Sequence, residues 1–331
     1  MVKVLVTGCA GYIGTTLVPY LLAHGYSVRC LDRMFFGEDV IGHFSGNSNF
    51  ELVKADIRTA DGSVLKGVDA VVDMASLSND PSAELNPALT MEINYRGRVR
   101  IAKMAKESGT SKYILMSSCS VYGFNEHIVD EDSEPNPLTV YAKANLAAER
   151  DVLPLNSDRF NVTALRLATV FGPSKRMRFD LLVNGMTLNA FLEGRIPVMR
   201  DGNQRRPLVH VLDVSRAIAR VIESDGRKTG GEVVNIGHEG QNHRVIEVAE
   251  ITQRVVGGEI SMYGDPDTRS YAVRFEKARS LLGFTPLFSV EDGVKQIYHE
   301  LLLGNLRQDP RWITLKWYKS LLERDPRALE A

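Results

Sequence analysis

The sequence predicts an α/β protein built on a doubly wound parallel sheet, and its first residues carry most of the signal. The run from Val2 to Val6 is short, apolar and rich in β-branched residues, which is typical of a strand buried on both faces. A glycine-rich turn and a helix-like segment from Thr15 to His24 follow, and the apolar run Ser27 to Leu31 then ends in Asp32. Strand, helix and strand in this order form a βαβ unit, whose right-handed crossover makes the two strands parallel.

The alternation of strands and helices continues along the chain. Strand-like runs are predicted at Val68 to Met74, Tyr113 to Met116 and Val162 to Val170. Helices are predicted at Asn94 to Ser108 and Tyr141 to Val152, because apolar residues recur there at helical spacing. Such repeated alternation indicates a single sheet with helices on both faces.

The composition excludes several classes of protein. Forty Lys and Arg residues against 41 Asp and Glu leave a formal net charge of -1, so the chain has no electrostatic footprint for nucleic acid or an anionic membrane. No apolar run approaches the roughly 18 residues of a membrane span, and the N-terminus lacks the pattern of a secretory signal. Cys9, Cys30 and Cys119 are too few and too scattered for a disulfide framework or a metal cluster. We expect a soluble cytoplasmic protein without a metal site.

Three glycines, Gly8, Gly11 and Gly14, stand between the first strand and the first helix. Glycine suits this turn because the backbone needs unusual φ values and must approach a pyrophosphate, which the N–H groups of the helix N-terminus then bind. About 20 residues later, Asp32 ends the second strand, where its carboxylate can accept hydrogen bonds from the adenosine ribose. The pattern predicts a dinucleotide site and favours NAD over NADP, although the adjacent Arg33 is a residue type that pairs with a 2′-phosphate.

The segment Thr7 to Gly14 (TGCAGYIG) resembles the opening of the extended short-chain dehydrogenase/reductase family, in particular its NAD-dependent nucleotide-sugar epimerases and dehydratases. Segments that resemble this family follow in order over residues 1–300, among them Asp56-Ile57, Met74 to Ser76 and Ser117 to Gly123. The resemblance implies an NAD site formed by Gly8, Gly11, Tyr12, Ile13, Gly14, Asp32, Asp56, Ile57, Met74, Ala75, Ser76, Asn94, Ser117, Tyr141 and Asn145.

The resemblance also implies a division of the chain. We expect an NAD-binding Rossmann domain over residues 1–172 and a smaller, mixed α/β substrate-binding region over residues 173–331, from which segments around 205–240 return to the sheet. The elements predicted in this second part are two helices, a strand and a polar loop: Leu181 to Leu192, Trp312 to Leu322, Pro207 to Val211 and Pro266 to Tyr271.

The chemistry of this family is proton and hydride transfer at a sugar carbon. A tyrosinate takes the hydroxyl proton while C4 of the nicotinamide takes the hydride. By resemblance, Tyr141 is the base and Ser118 is the hydroxyl that binds the same oxygen. Both also have ordinary alternatives, a buried tyrosine at a helix start and a serine that satisfies backbone groups at a strand end.

The chain departs from the family at Asn145, where the YxxxK motif has a lysine one helical turn after the tyrosine. Lys143 lies about 200° away around the helix and cannot replace it. Three explanations remain open: the enzyme tolerates asparagine at a lower rate, another cation such as Lys175 or Arg178 substitutes, or the asparagine is an inactivating substitution. We hypothesise that the protein binds NAD but turns over slowly, and that Asn145→Lys would raise the rate.

The residues after Ser118 bear on the type of reaction. The family's 4,6-dehydratases carry an Asp-Glu pair where this chain has Cys119 and Ser120, and its decarboxylases carry a glutamate at Ser120. The resemblance therefore favours a 4-epimerase type of cycle, in which a keto-sugar forms transiently and is reduced again. A nucleotide-sugar ketoreductase or dehydrogenase, or a non-catalytic NAD-binding module, is the alternative. Cys119 is interpreted as a small packed residue, with an acid/base role like that in a 3,5-type epimerase as the alternative.

On the substrate side, Arg206 and Arg269 resemble the family's two arginines that clamp a diphosphate, since a guanidinium fork matches phosphate oxygens. Lys175, Arg176 and Arg178 are predicted to extend this basic wall, with a solvated loop as the alternative, and Ser118 is predicted to contact the sugar. The predicted partner is a nucleotide diphosphate sugar whose base and sugar are not readable. A homodimer is also predicted, through the two helices that carry Ala102, Ala105, Ala144 and Ala148.

Overall fold

A computed structural model describes residues 1–265 and 269–330 of the chain. Its strands, β1 to β14, are in chain order Lys3–Thr7, Ser27–Asp32, Phe50–Lys54, Ala70–Asp73, Lys112–Ser118, Phe124–Val129, Asn161–Leu167, Thr169–Phe171, Arg195–Met199, Arg205–His210, Glu232–Ile236, Asn242–Arg244, Glu259–Tyr263 and Ser270–Val273. Its α-helices, α1 to α12, are Gly14–Ala23, Asp80–Ala83, Pro87–Met91, Arg98–Glu107, Val140–Val152, Leu182–Glu193, Val211–Glu223, Gly226–Thr229, Val245–Val256, Glu276–Leu282, Val290–Leu302 and Thr314–Arg324.

The central sheet has seven strands in the order β11-β7-β5-β4-β1-β2-β3. All neighbouring pairs are parallel. The strand order reverses between β1 and β4, and in such sheets ligands bind outside the carboxyl ends of the strands at this switch point. The predicted doubly wound α/β fold is thus confirmed.

Alternation along β1 places side chains on both faces of the sheet. Val4 and Val6 belong to a buried cluster that includes Leu17 of α1 and Ile218 of α7. Leu5, between them, belongs to a second cluster that includes Ala102 of α4. Because both faces are covered, the strand is a continuous apolar run, as expected for a buried parallel strand.

The C-terminal region is mixed α/β. Its small sheets pair β10 with β8 and β12, β9 with β13, and β6 with β14, and α6, α9 and α11 pack around a third buried cluster. Between residues 205 and 240, β11 joins the central sheet while β10 joins a small one. The domain boundary at residue 172 stays a prediction.

Several predicted elements differ from the observed ones. The single run Val162 to Val170 is two strands, β7 and β8, separated at Ala168. The helix predicted from Asn94 begins instead with a π-helical segment, Glu92–Gly97, before α4. Of the loop predicted from Pro266 to Tyr271, residues 266–268 lie outside the described residues, and β14 already starts at Ser270.

Four alanines of α4 and α5 face inward. Ala102, Ala105, Ala144 and Ala148 are all fully buried within the chain itself. They pack α4 and α5 onto the sheet and onto each other, so they cannot form an outward surface for a second copy. The argument for a homodimer from these residues is therefore wrong.

One cysteine pair is closer than its sequence spacing suggests. Cys9 and Cys30 form a disulfide bond with their Cα atoms 5.7 Å apart, and Cys119 is free. Cys30 lies on β2 opposite Val6 of the adjacent parallel strand β1, and Cys9 lies in the turn that follows β1. The sequence predicts three scattered cysteines, whereas the structure brings two of them together.

The described residues contain no helix that could span a membrane by length and hydropathy. Within the same residues, no three His, Cys, Asp or Glu side chains are grouped so that they could hold a metal ion.

Alanine at Gly14 should destabilise the protein. A Cβ there would overlap the backbone of Cys9, where α1 approaches the turn after β1. Such overpacking costs about 1–3 kcal/mol, so urea denaturation of Gly14→Ala should give a free energy of unfolding lower by this amount. Gly46→Ala is the control, because nothing lies within 4 Å of a Cβ at that position. Equal stabilities of the two variants would contradict the close packing.

Candidate active site

Two adjoining cavities lie at the carboxyl ends of the central strands. The small cavity, about 140 Å³, is lined by the turn after β1 and by the ends of β2 and β3. The large cavity, about 630 Å³, is lined by the end of β5, the start of α5 and the C-terminal region. Residues common to both walls are Tyr12, Ile13, Met74, Ser76, Ser78 and Arg178. The two cavities therefore form one continuous site.

The turn after β1 leaves no room for side chains at its glycines. Gly8 has a φ of +69°, and a Cβ there would lie 2.9 Å from the backbone of Ala75, at the end of β4. Thr7 also stabilises the approach of this turn to Ala75, since its Oγ1 accepts hydrogen bonds from the backbone N–H groups of Met74 and Ala75 at 3.0 and 3.1 Å. Gly8, Gly11, Tyr12, Ile13 and Gly14 all line the small cavity.

Asp32 closes the side of the small cavity at the end of β2. Its carboxylate accepts hydrogen bonds from the backbone N–H groups of Ala10 at 3.0 Å and Met34 at 2.7 Å. Burial raises the pKa of Asp32, and these two hydrogen bonds oppose the rise. Each carboxylate oxygen keeps a lone pair, so the group can still accept bonds from a ribose.

Arg33 is committed to contacts within the protein. Its Nη1 donates to Asp56 at 3.1 Å and to the carbonyl oxygen of Leu329 at 3.2 Å. Arg58 binds the same carboxylate through Nη2 at 2.7 Å. Burial alone would raise the pKa of Asp56, but the two arginines hold it below its ordinary value. The arginine that would favour a 2′-phosphate is thus neutralised by Asp56, with Ile57 beside it on the cavity wall.

Asn94 and Ser117, both predicted to bind the cofactor, form hydrogen bonds within the protein, although Ser117 also lines the large cavity. Asn94 is fully buried, and its amide bonds both the N–H and the carbonyl of Leu77, at 2.8 and 3.1 Å. Ser117 is 4% exposed and its hydroxyl donates to Glu149, which also pairs with Arg166. Both sides of the Asn94 amide are hydrogen-bonded to the loop after β4, so the structure does not indicate a direct contact of Asn94 with a cofactor.

Ser118 and Tyr141 line the large cavity together. Ser118 ends β5, and its Oγ accepts a hydrogen bond from the backbone N–H of Ser120 at 3.1 Å. Tyr141 lies in the first turn of α5, which is capped by Thr139. Burial, and then the charge of Asp80, raise the pKa of Tyr141, while the positive charges of Arg178 and Arg98 lower it.

Asn145 is 1% exposed and engaged on both sides of its amide. Its Oδ1 accepts a hydrogen bond from Nη1 of Arg98 at 3.0 Å, and its Nδ2 donates to the backbone carbonyl of Tyr141 at 3.1 Å. Sequence reasoning missed Arg98, because nothing in the spacing of α4 links it to α5.

Arg176 lies on the small cavity and not on the substrate side, where the sequence predicts it. It is 1% exposed, lines the small cavity and lies with its guanidinium carbon 3.6 Å from the ring centre of Phe36. Its Nη2 donates to Thr314 at 2.8 Å, but its Nε has no hydrogen-bond partner among the described residues. Burial lowers its pKa to about 9, helped by the like charge of Arg178. A buried cation of this kind requires an anion nearby.

The arginines predicted for the substrate lie on the large cavity. Arg178, Arg206 and Arg269 all line it. Arg178 forms an ion pair with Asp180 at 3.1 Å, and Arg269 forms one with Asp80. Nη1 of Arg206 donates to the carbonyl oxygen of Arg269, which joins the two predicted phosphate ligands to each other.

Lys175 does not belong with them. Its side chain is exposed and faces a separate surface pocket beside α1, lined by Thr16 and Tyr20. Lys175 is exposed, whereas the next residue, Arg176, is buried. The prediction that Lys175 extends the basic wall is therefore wrong.

Cys119 faces away from the cavity. It is fully buried, its Sγ donates to the carbonyl oxygen of Arg166 at 3.3 Å, and burial raises its pKa strongly. A thiol in this state is a packed side chain rather than an acid or base.

Comparison with known proteins identifies the family. The model of the NAD dependent epimerase/dehydratase family matches residues 4–237. UDP-glucuronic acid decarboxylase 1 of Xenopus tropicalis is 28% identical over 311 residues, which are 90% of this chain and 71% of that protein. A putative UDP-glucose 4-epimerase of Methanocaldococcus jannaschii is 29% identical over 314 residues, 91% of this chain and 99% of that protein.

A solved structure extends the likeness to the whole fold. MoeE5 in complex with UDP-glucuronic acid and NAD superposes with a TM-score of 0.81 at 29% identity, covering 92% of this chain and all of that one. The resemblance of TGCAGYIG and of the segments after it is thereby confirmed, and the chain belongs to the NAD-dependent epimerase/dehydratase family.

Proposed function

We propose that this protein is an NAD-dependent nucleotide-sugar epimerase of the 4-epimerase type. The observation that carries the proposal is that Tyr141 and Ser118 share one cavity with Arg206 and Arg269, and that this cavity opens into the one formed by the glycine turn. An acid/base pair, a diphosphate clamp and a dinucleotide cleft in one continuous site are what such a cycle requires.

The small cavity fits a dinucleotide. Gly8 gives the backbone a close approach where a Cβ would collide with Ala75, and the buried Nε of Arg176 needs an acceptor that a pyrophosphate oxygen would supply. Asp32 would accept from the adenosine ribose, and Ile57 would pack against the base. When bound, NAD supplies the hydride acceptor and returns the hydride to the sugar.

Within the large cavity, Tyr141 would hold the proton that leaves the sugar hydroxyl and would later give it back. Ser118 would donate a hydrogen bond to the same oxygen and orient it. The guanidinium groups of Arg206 and Arg269 would hold the diphosphate, which leaves the sugar as the part that can turn between the two hydride transfers.

The similar proteins indicate which substrates to test first, and the large cavity bears on the type of reaction. UDP-glucuronic acid and UDP-glucose are the first compounds to test, since the similar proteins carry these names. At the positions where a dehydratase or a decarboxylase needs carboxylates, Ser120 is a hydroxyl and Cys119 points into the core. Asp80 and Asp180 line the cavity but are bound in ion pairs with arginines. Epimerisation needs neither of the missing groups.

The direct test has two steps. The purified protein is denatured and its released small molecules are identified by mass spectrometry; released NAD is the expected result. The protein is then incubated with UDP-glucuronic acid or UDP-glucose, and the products are separated. The C4 epimer without net NADH supports the proposal. Stoichiometric NADH indicates a dehydrogenase, and loss of carbon dioxide or water contradicts the epimerase.

Asp32→Ala should reduce the preference for NAD. The carboxylate that repels a 2′-phosphate is then gone, so the ratio of the dissociation constants for NADP and NAD should fall about tenfold or more, equivalent to 1.4 kcal/mol. Calorimetric titration with both dinucleotides measures the ratio. The control is Asp158→Ala, an exposed carboxylate outside both cavities. An unchanged ratio in Asp32→Ala would remove Asp32 from the cofactor site.

Tyr141→Phe should lower kcat by about 10²-fold or more while NAD still binds, because only the base is lost. The wild-type rate should rise with pH through neutrality, since burial and Asp80 raise the pKa of Tyr141 and the reactive form is the tyrosinate. Rate measurements across pH check both points. A rate that falls with rising pH, or full activity in Tyr141→Phe, would exclude Tyr141 as the base.

The homodimer remains a prediction, and analytical ultracentrifugation of the purified protein would test it.

A further inference from the structure

A buried cluster connects α4 to the helix that carries Tyr141. Arg98 is 1% exposed, and Asp73, its ion-pair partner, is fully buried with 3.0 Å between Nε and Oδ2. Nη2 of Arg98 donates to the carbonyl oxygens of Asp73 at 3.0 Å and Met116 at 2.6 Å. Nη1 is directed elsewhere and donates to Asn145 at 3.0 Å.

The nitrogen atoms of the Arg98 guanidinium thus bind two different parts of the protein. Nε and Nη2 bind the ends of β4 and β5, which fixes the group in one orientation. Nη1 then carries the positive charge to Asn145, one helical turn from Tyr141 and joined to its backbone by a 3.1 Å hydrogen bond. The planar fork of arginine can make these bonds at once, whereas an ammonium cannot.

We propose that Arg98, acting through Asn145, supplies the positive charge that the active site needs beside Tyr141, and so replaces the lysine of the family motif. The inference rests on the proposed function, in which Tyr141 is the base. It makes Arg98 a positioning residue, since it touches Asn145 rather than the reacting atoms. In this proposal the positive charge comes from Arg98 on α4, whereas the lysine of the family motif lies on the helix that corresponds to α5.

Other charges also face Tyr141 and set the background. Asp80 of α2 opposes ionisation of the tyrosine, and Arg178 of the loop after β8 favours it, as Arg98 does. Asp80 is itself paired with Arg269, and Arg178 with Asp180. Among these groups, Arg98 is the one that is hydrogen-bonded to position 145.

The proposal reverses the earlier expectation for Asn145→Lys. With Arg98 present, a lysine at this position would place two cations together in a buried cluster that holds one carboxylate, Asp73. The single substitution should therefore destabilise the protein and give no gain in rate. Together with Arg98→Gln, the same lysine should be tolerated, because the total charge is restored.

A titration of Tyr141 tests the proposal without any substrate. The chain has 11 tyrosines, so tyrosinate absorbance is recorded for each protein and for its Tyr141→Phe counterpart, and the difference isolates Tyr141. In Arg98→Gln the midpoint should move up by about one pH unit, since a nearby positive charge is lost. In Arg98→Gln/Asn145→Lys it should return to the wild-type value.

Arg100→Gln is the matched control. Arg100 lies on the same helix, and its Nη1 donates to the carbonyl oxygen of Ile57 at 3.2 Å rather than to Asn145. Its midpoint should stay at the wild-type value. An unchanged midpoint in Arg98→Gln, or a raised one in the double variant, would overturn the proposal. If Arg98→Gln does not fold, the double variant decides alone, because its midpoint must equal that of the wild type.

Turnover separates this inference from the proposed function. With UDP-glucuronic acid or UDP-glucose, Arg98→Gln should lower kcat about tenfold at neutral pH, matching one pH unit, and leave KM unchanged. Full activity of Tyr141→Phe would remove the proposed function. An inactive Tyr141→Phe together with an unshifted Arg98→Gln titration would remove only the role of Arg98.

Discussion

The buried ion pair between Asp73 and Arg98 is the interaction on which both halves of the site depend. Asp73 ends β4, where its Oδ1 accepts a hydrogen bond from Thr7 of β1 at 2.7 Å, and its Oδ2 binds Arg98. Thr7 in turn holds the first residues after β4. Arg98 reaches on to β5 and to Asn145. A single charged pair therefore connects the glycine turn to the helix that carries Tyr141.

Burying such a pair is costly, and its geometry shows why it is kept. Desolvation of two ions is offset only when the remaining donors and acceptors are also satisfied. Tyr113 supplies a further hydrogen bond to Asp73 at 2.7 Å, and Arg98 makes four hydrogen bonds with its five N–H donors. Removing one partner would leave an uncompensated charge between three strands. The pair thus fixes where β1, β4 and β5 end relative to one another, which is where the site is built.

What the sequence could predict is what depends on local spacing. The glycines, Asp32 and the strands around them follow from one βαβ unit, and Ser118 and Tyr141 follow from motifs a few residues long. Neither the contact of Arg98 with Asn145 nor the place of Arg176 at the small cavity could be found in this way. Arg98 acts on Asn145, 47 residues away, and Arg176 on Thr314, 138 residues away, so their roles exist only after the chain has folded.

Errors about charged residues have the same origin. Lys175 and Arg176 are neighbours, and only the path of the loop decides which of them reaches the cavity. The alanines of α4 and α5 lead to an error of the same kind. The spacing of small residues along a helix shows that they share a face, but it does not show what that face packs against. Sequence reasoning could state that a cation was missing at position 145, but only packing could show where another one enters.

The electrostatics of the site follow from this arrangement. Tyr141 lies between a carboxylate that opposes its ionisation, Asp80, and two guanidinium groups that favour it, Arg178 and Arg98. Arg178 lines the open cavity, so its field changes with whatever anion binds there, and it is already shared with Asp180. Arg98 is 1% exposed and is held in a fixed orientation by its ion pair with Asp73, so solvent and ligands do not reach it. In the proposed cycle, a charge held in this way would act on Tyr141 both when it removes a proton and when it returns it.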